Sequence, residues 1–224
     1  METCQIDVAE LPFSAEAVYR HLKITPAAPS FPEVQAQVPE LYHRYRHYLR
    51  PCFRYDIREI SRKDPAENSI YLDDGIRLQG IGVYRRLALA QQAAVFVATL
   101  GRKIDRVLIA LGREDVLEAY LLQGIADTQL HALLGQVEAT LRNVARSQGC
   151  EIGRRFAPGY ARWKLPDQKK LLGLLRAEEI GVTLNEAYFM NPLKTITGIY
   201  GFAKLEKVQD EENNPKELAT DKYR

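Results

Sequence analysis

Hydrophobic and polar positions change period several times along the chain, and each change predicts an element. Ser14-Ala15-Glu16-Ala17 reads as a capped helix start, because a serine oxygen can accept from a first-turn amide; the helix it opens reaches Leu22. Pro26, Pro29 and Pro32 then predict an extended connection. From Glu33 to Leu49 the residues Val34, Val38, Leu41, Tyr45, Tyr48 and Leu49 recur at helical spacing. They leave Arg44, Arg46 and His47 for the other face, which predicts one amphipathic helix.

The period then drops to two. Phe53, Tyr55 and Ile57 alternate with Arg54, Asp56 and Arg58, the pattern of a half-buried strand, and two short apolar runs flank the turn signal Asp73-Asp74-Gly75, so a small antiparallel sheet begins here. Helical spacing returns between Gly82 and Ala90. Ala93 to Gly101 is a continuous apolar run too short for a free helix, hence a fully buried strand whose terminal glycine marks a close turn. Residues 102–148 contain no proline and predict two helices with a break near Gly124. Gly149 to Leu165 loses periodicity and gathers glycine, proline and aromatics, as a displayed binding loop does. A helix over Asp167–Leu175 and a strand over Thr195–Tyr200 follow. Gln209 to Arg224 is charged and too poor in apolar residues to offset its ordering entropy, so residues 1–208 are expected to form one module and 209–224 a disordered tail.

Composition narrows the class. A chain of 224 residues, 46% hydrophobic, can bury one sizeable core. Its 31 basic and 29 acidic residues leave a net charge of +2, without the basic excess that a nucleic-acid partner requires. Cys4, Cys52 and Cys150 are scattered and odd in number, which indicates neither a disulfide framework nor a zinc site and fits a reducing compartment. No apolar run approaches the length of a bilayer span, and Met1 to Glu10 carries acids where a secretory signal would be basic and then apolar. The expected location is the cytoplasm, with no membrane partner.

Standard catalytic signatures are missing. Gly80-Ile81-Gly82 lacks the third glycine of a dinucleotide loop, and no phosphate-binding Gly-x-x-x-x-Gly-Lys motif occurs. His43 and His47 stand four apart, but their helix offers no third ligand, so neither a catalytic residue nor a metal site is predicted.

Two segments carry the chemistry: Arg154-Arg155-Phe156-Ala157-Pro158-Gly159-Tyr160 and, after it, Met190-Asn191-Pro192-Leu193-Lys194-Thr195-Ile196-Thr197-Gly198-Ile199-Tyr200-Gly201. A guanidinium can hold a carboxylate in a two-point contact, backbone groups can pair with a flat heterocycle, and aromatic faces attract a delocalised cation. Arg155, the backbone from Ala157 to Tyr160, and Tyr200 offer these, and Gly159 lets the main chain approach a flat ring. Read singly, each has a plainer account: Pro158-Gly159 as a turn, Arg155 as a surface residue, Tyr200 as a strand aromatic.

Jointly, in this order and spacing, the two segments resemble the Arg-x-x-x-Gly-Tyr loop and the Met-x-Pro-x-x-Ser-Val-Ser-Gly-x-Tyr strand of the cobalamin-dependent methionine synthase activation domain, with threonines replacing the serines. Gln168 to Leu175, Gly181-Val182-Thr183-Leu184 and Ala98-Thr99-Leu100-Gly101 are similar to that family too, and the likeness runs from about Ser14 to Phe202. The resemblance implies an α+β fold, a twisted antiparallel sheet flanked by helices, and a site of Arg155, Ala157, Gly159, Tyr160, Tyr200 and Gly201 for S-adenosylmethionine. In it the arginine would hold the methionyl carboxylate and the Gly-Tyr loop would cradle the adenosyl part. The family's two acidic ligand residues have no match; the helical one falls near His131, with Glu138 one helix face away. After Tyr160, Ala161-Arg162-Trp163 replaces a proline and cysteine.

The function so implied is accessory: S-adenosylmethionine binding for reductive methylation, and thus reactivation, of cobalamin. The corrinoid would sit on a partner methionine synthase chain lacking its own activation domain, because no Asp-x-His-x-x-Gly motif is present here. A flavodoxin- or ferredoxin-type protein would supply the electron. Any enzymatic activity would be that of the methyltransferase system as a whole. The alternative is a module that senses S-adenosylmethionine or docks on a corrinoid protein without methylation.

Overall fold

The computed structural model describes residues 1–25, 27 and 31–204. The expectations for Pro26, Pro29 and the tail from Gln209 to Arg224 lie outside the described residues. Nine strands and six α-helices follow in the order β1 (Glu2–Gln5), α1 (Ala15–His21), α2 (Phe31–Tyr45), β2 (Cys52–Asp64), β3 (Ser69–Leu72), β4 (Arg77–Gln79), α3 (Ile81–Leu87), β5 (Gln92–Thr99), α4 (Arg102–Glu114), α5 (Val116–Ser147), β6 (Cys150–Ile152), α6 (Asp167–Leu174), β7 (Thr183–Leu184), β8 (Met190–Asn191) and β9 (Thr195–Lys204) among the described residues. Strands hydrogen-bond in the order β4-β3-β2-β5-β9-β6, with β1 added on β2, and β7 pairs with β8 separately. The β1/β2, β2/β3, β3/β4, β6/β9 and β7/β8 pairings are antiparallel. The expected α+β class with a largely antiparallel sheet is what forms.

The chain divides into two compact units. The first comprises Met1–Tyr55, Phe96–Glu138 and Leu171–Thr197. Ser14 caps α1 by accepting from the Ala17 amide, as expected. Pro32 does not extend the chain: it lies in the first turn of α2, where its missing N–H would have had no partner anyway. Pro39, inside α2, leaves the Gln35 carbonyl without its helical donor, and the Tyr19 hydroxyl donates to it at 3.2 Å. Val34, Val38 and Leu41 are buried as the spacing requires, joined by Tyr42, and the helix tightens into a 3-10 turn over Arg46–Tyr48.

Three features of this unit depart from the sequence expectation. The break in residues 102–148 falls at Asp115, not Gly124: Asp115 is extended and its carboxylate caps α5 by accepting from the Glu118 amide at 2.9 Å. Gly124 instead lies within α5, where a Cβ would come 2.6 Å from Leu22. Arg54 is buried rather than on a solvent face of β2. Its Nη1 donates to the Leu175 and Arg176 carbonyls and to Glu179, and its Nε to Thr3, so the buried charge is partnered inside the protein. Finally, β1 is a polar strand with no hydrophobic alternation to announce it, held by its ladder from Glu2↔Tyr55 to Gln5↔Cys52.

The motif threonines also find their places here. Thr195 Oγ1 donates to Thr99 Oγ1 at 2.9 Å and Thr197 Oγ1 to the Phe96 carbonyl at 2.6 Å, so both hydroxyls serve the pairing of β9 with β5.

The second unit comprises Asp56–Val95, Ala139–Lys170 and, among the described residues, 198–204. The predicted turn joins β3 to β4, with Gly75 at φ +83°, where L side chains are strained. Helix α3 buries Val83 and Leu87. Gly201 lets α3 close on β9, since a Cβ there would stand 2.9 Å from Ala90 and 3.1 Å from Leu87.

Candidate functional site

The candidate site is the loop between β6 and α6, wholly within the second unit. Its start is fixed by the sheet. The Gly153 amide donates to the Gly201 carbonyl at 2.8 Å, and Phe156 and Ile199 exchange backbone hydrogen bonds at 3.0 and 2.8 Å. Two residues of extended backbone thus pin the loop to the motif strand before it turns away.

The turn itself closes on Trp163. Gly159 donates to the Trp163 carbonyl at 2.8 Å, the Trp163 amide donates to the Tyr160 carbonyl at 2.8 Å, and Tyr160 donates to the Ala157 carbonyl at 3.3 Å. Gly159 has φ +94°, a conformation in which a side chain would be strained, so this position of the Gly-Tyr pair is set by backbone geometry. The indole of Trp163 is buried, stacks on Phe156 with ring centroids 5.5 Å apart, and donates from Nε1 to Asp167 Oδ2 at 2.8 Å.

The proposed ligand residues divide into two groups. Arg155, Ala157, Gly159 and Tyr160 share the loop. Arg155 is half-buried and meets no carboxylate among the described residues; Gly159 is exposed, and the Tyr160 ring projects outward at 64% exposure. Ala157 is buried and offers its carbonyl, which already accepts from Tyr160. Tyr200 and Gly201 lie in β9, and the Tyr200 side chain is buried in the core at 1% exposure. Gly201 is bonded to the loop through the Gly153 amide, and Tyr200 stands between the two strand residues that anchor it, Ile199 and Gly201.

Basic side chains surround the loop. Arg154 and Arg162 are exposed on it, and the Arg86 guanidinium lies 5.6 Å from the Phe156 ring centroid. The carboxylate of Asp167 is engaged by Trp163, the Gln79 amide and Lys170. The outward chemistry of the loop is therefore cationic and aromatic, suited to an anionic group beside a flat ring.

Sequence reasoning missed the loop's foundation. The glycines of Gly80-Ile81-Gly82 make room for the loop. A Cβ on Gly80 would stand 2.7 Å from the Arg162 carbonyl oxygen, and one on Gly82 would stand 2.2 Å from that of Ala161. The pair of glycines and the only tryptophan of the chain were visible, but not that they meet. The helical acid absent from the motif comparison has a neighbour in Asp127, one turn before His131 in the first unit; it is engaged by Lys194 at 2.6 Å and His21 at 3.3 Å.

Among the described residues no cluster of metal-ligating side chains occurs, and no helix is long and apolar enough to cross a membrane. No family model matches the chain, and no curated protein matches it. Among solved structures the chain is similar to the MetH reactivation domain, crystallised bound to AdoHcy, with 14% sequence identity and a TM-score of 0.65 over 89% of this chain and 77% of that one. The chain therefore has the fold of the MetH reactivation domain.

Proposed function

We propose that this protein binds S-adenosylmethionine at the loop from Arg155 to Tyr160 and presents it to a corrinoid carried by another chain. The observation that carries the reading is Arg155: a half-buried guanidinium without a carboxylate partner among the described residues, next to a backbone turn held open by Gly159. Support comes from the fold, since the MetH reactivation domain was crystallised with AdoHcy, the product left when S-adenosylmethionine gives up its methyl group.

In this reading Arg155 takes the methionyl carboxylate in a two-point contact, the backbone near Ala157 and Gly159 faces the adenine, and the Tyr160 ring covers it. The corrinoid, held by a methionine synthase chain without its own activation domain, supplies the nucleophile, and a flavodoxin- or ferredoxin-type protein the electron. The residues of this chain orient and desolvate; they exchange no proton with the reacting atoms. A second reading, a module that senses S-adenosylmethionine or docks without supporting methylation, is favoured by the missing match for the family's two acidic ligand residues.

Calorimetric titration with S-adenosylmethionine tests the binding step, and a reductive methylation assay with a corrinoid protein separates the two readings. Saturable heat together with stimulated methylation supports the first. Heat without stimulation supports the second, and no heat at millimolar ligand removes both ligand-binding readings.

A further inference from the structure

Loop 156–163 holds a conformation that its own sequence does not favour. Ala161 and Arg162, neither of them glycine, stand at φ +37° and +62°, and consecutive left-handed residues persist only where their surroundings over-determine them. Three surroundings do so. The first is the pair of glycines: the Arg162 and Ala161 carbonyls come so close to Gly80 and Gly82 that a Cβ would stand 2.7 and 2.2 Å away, and a Gly82 Cβ would also stand 2.6 Å from the Phe156 ring. Backbone cannot yield to such a contact as a flexible side chain could.

The second is Trp163, buried at 1% exposure directly after the left-handed pair, with its ring stacked on Phe156 at an interplanar angle of 10°. The third is Asp167, itself 8% exposed, whose Oδ2 accepts from the indole N–H at 2.8 Å and from the Gln79 amide at 3.3 Å, while Oδ1 meets the Lys170 ammonium at 2.6 Å. A carboxylate accepting from three donors is fixed in orientation, and it transmits that fixity to the ring it holds. Gln79 is the last residue of β4 and directly precedes Gly80, so one carboxylate ties the glycine floor to the tryptophan that closes the loop.

We propose that Trp163 and Asp167, seated against Gly80 and Gly82, are positioning residues that hold loop 156–163 in its ligand-ready shape. Neither touches the ligand. The proposal rests on the reading of this loop as the S-adenosylmethionine site for its consequence on affinity, but not for its consequence on the loop itself. Gly82 separates positioning from general stability: it lies inside α3, where alanine favours the helix, yet its Cβ would displace the loop.

The test compares wild type with Gly82→Ala, Trp163→Phe, Asp167→Ala and Asp167→Asn by two measurements. One is limited trypsin cleavage after Arg162 and Lys164, with the emission of the single tryptophan recorded where it is retained; the other is calorimetry with S-adenosylmethionine. Gly82→Ala and Asp167→Ala should be cleaved several-fold faster in the loop and bind roughly tenfold more weakly, because small displacements of a binding constellation are costly. Trp163→Phe, which removes only the indole donor and some ring area, should fall between. Asp167→Asn keeps an acceptor for the indole and should restore most of the affinity. Wild-type cleavage and affinity in both Gly82→Ala and Trp163→Phe would overturn the proposal even if Asp167→Ala fails to fold. If wild type binds no ligand, the functional reading fails, and the cleavage comparison alone decides whether the lock exists.

Discussion

The Lys194 ammonium, its side chain 6% exposed, meets Asp127 Oδ1 at 2.6 Å, joining the motif segment before β9 to the middle of α5. A buried lysine is tolerated only with such a partner, and its backbone carbonyl also accepts from Leu100.

Asp127→Ala should therefore destabilise by roughly 3 kcal/mol, because it leaves the buried ammonium unpaired, whereas Lys194→Met should cost far less. In the double variant most of the Asp127→Ala loss should be recovered. Chemical denaturation of the three variants checks this; equal losses for Asp127→Ala and Lys194→Met would mean the pair acts otherwise.

Gly124 and Gly135 lie in the same helix with opposite surroundings. A Cβ on Gly135 meets nothing within 4 Å, while one on Gly124 meets Leu22 at 2.6 Å. Gly135→Ala should raise stability by about 0.5–1 kcal/mol through helix propensity, and Gly124→Ala should lower it by about 1–3 kcal/mol through overpacking. Thermal melts of both variants provide the comparison.

That contrast also marks what the sequence could and could not reveal. Period and capping located α1, the body of α2, β2 to β5 and α6, because burial forces alternation or helical spacing on side chains. Glycine is ambiguous: Gly124 reads as a break by composition and proves to be a point of close packing, while the true break was signalled by the Asp115 to Glu118 cap. Arg54 reads as solvent-facing because its receiving carbonyls, on Leu175 and Arg176, are more than a hundred residues away. The loop with Arg155, Gly159 and Tyr160 was legible as a motif. Its floor at Gly80 and Gly82 was not, since a contact between distant segments leaves no local period.

Asp105 gives the stability a definable pH dependence. Burial pushes its carboxyl pKa up, opposed by the Leu193 amide, which donates to Oδ2, and by the nearby Lys194 charge. A native carboxyl that holds its proton more tightly than in the unfolded chain makes the native state bind more protons, so this contribution to stability is lost as pH rises from the unfolded pKa through the raised folded one. Across that window the melting temperature of wild type minus that of Asp105→Asn should fall. A pH-independent difference would show that Asp105 is not strained by its burial.

The central claim is that Arg155 holds the carboxylate of S-adenosylmethionine, and one calorimetric series tests it. Arg155→Lys keeps the charge but loses the planar fork, and Arg155→Ala loses both, so affinity should fall in the order wild type, lysine, alanine. A hydrogen bond to a charged group contributes about 1.5–3 kcal/mol, which places the alanine variant roughly tenfold to a hundredfold below wild type. Arg154, exposed and one residue earlier, is the control, and Arg154→Ala should change affinity far less. Loss of binding in Arg154→Ala with normal binding in Arg155→Ala would contradict the account.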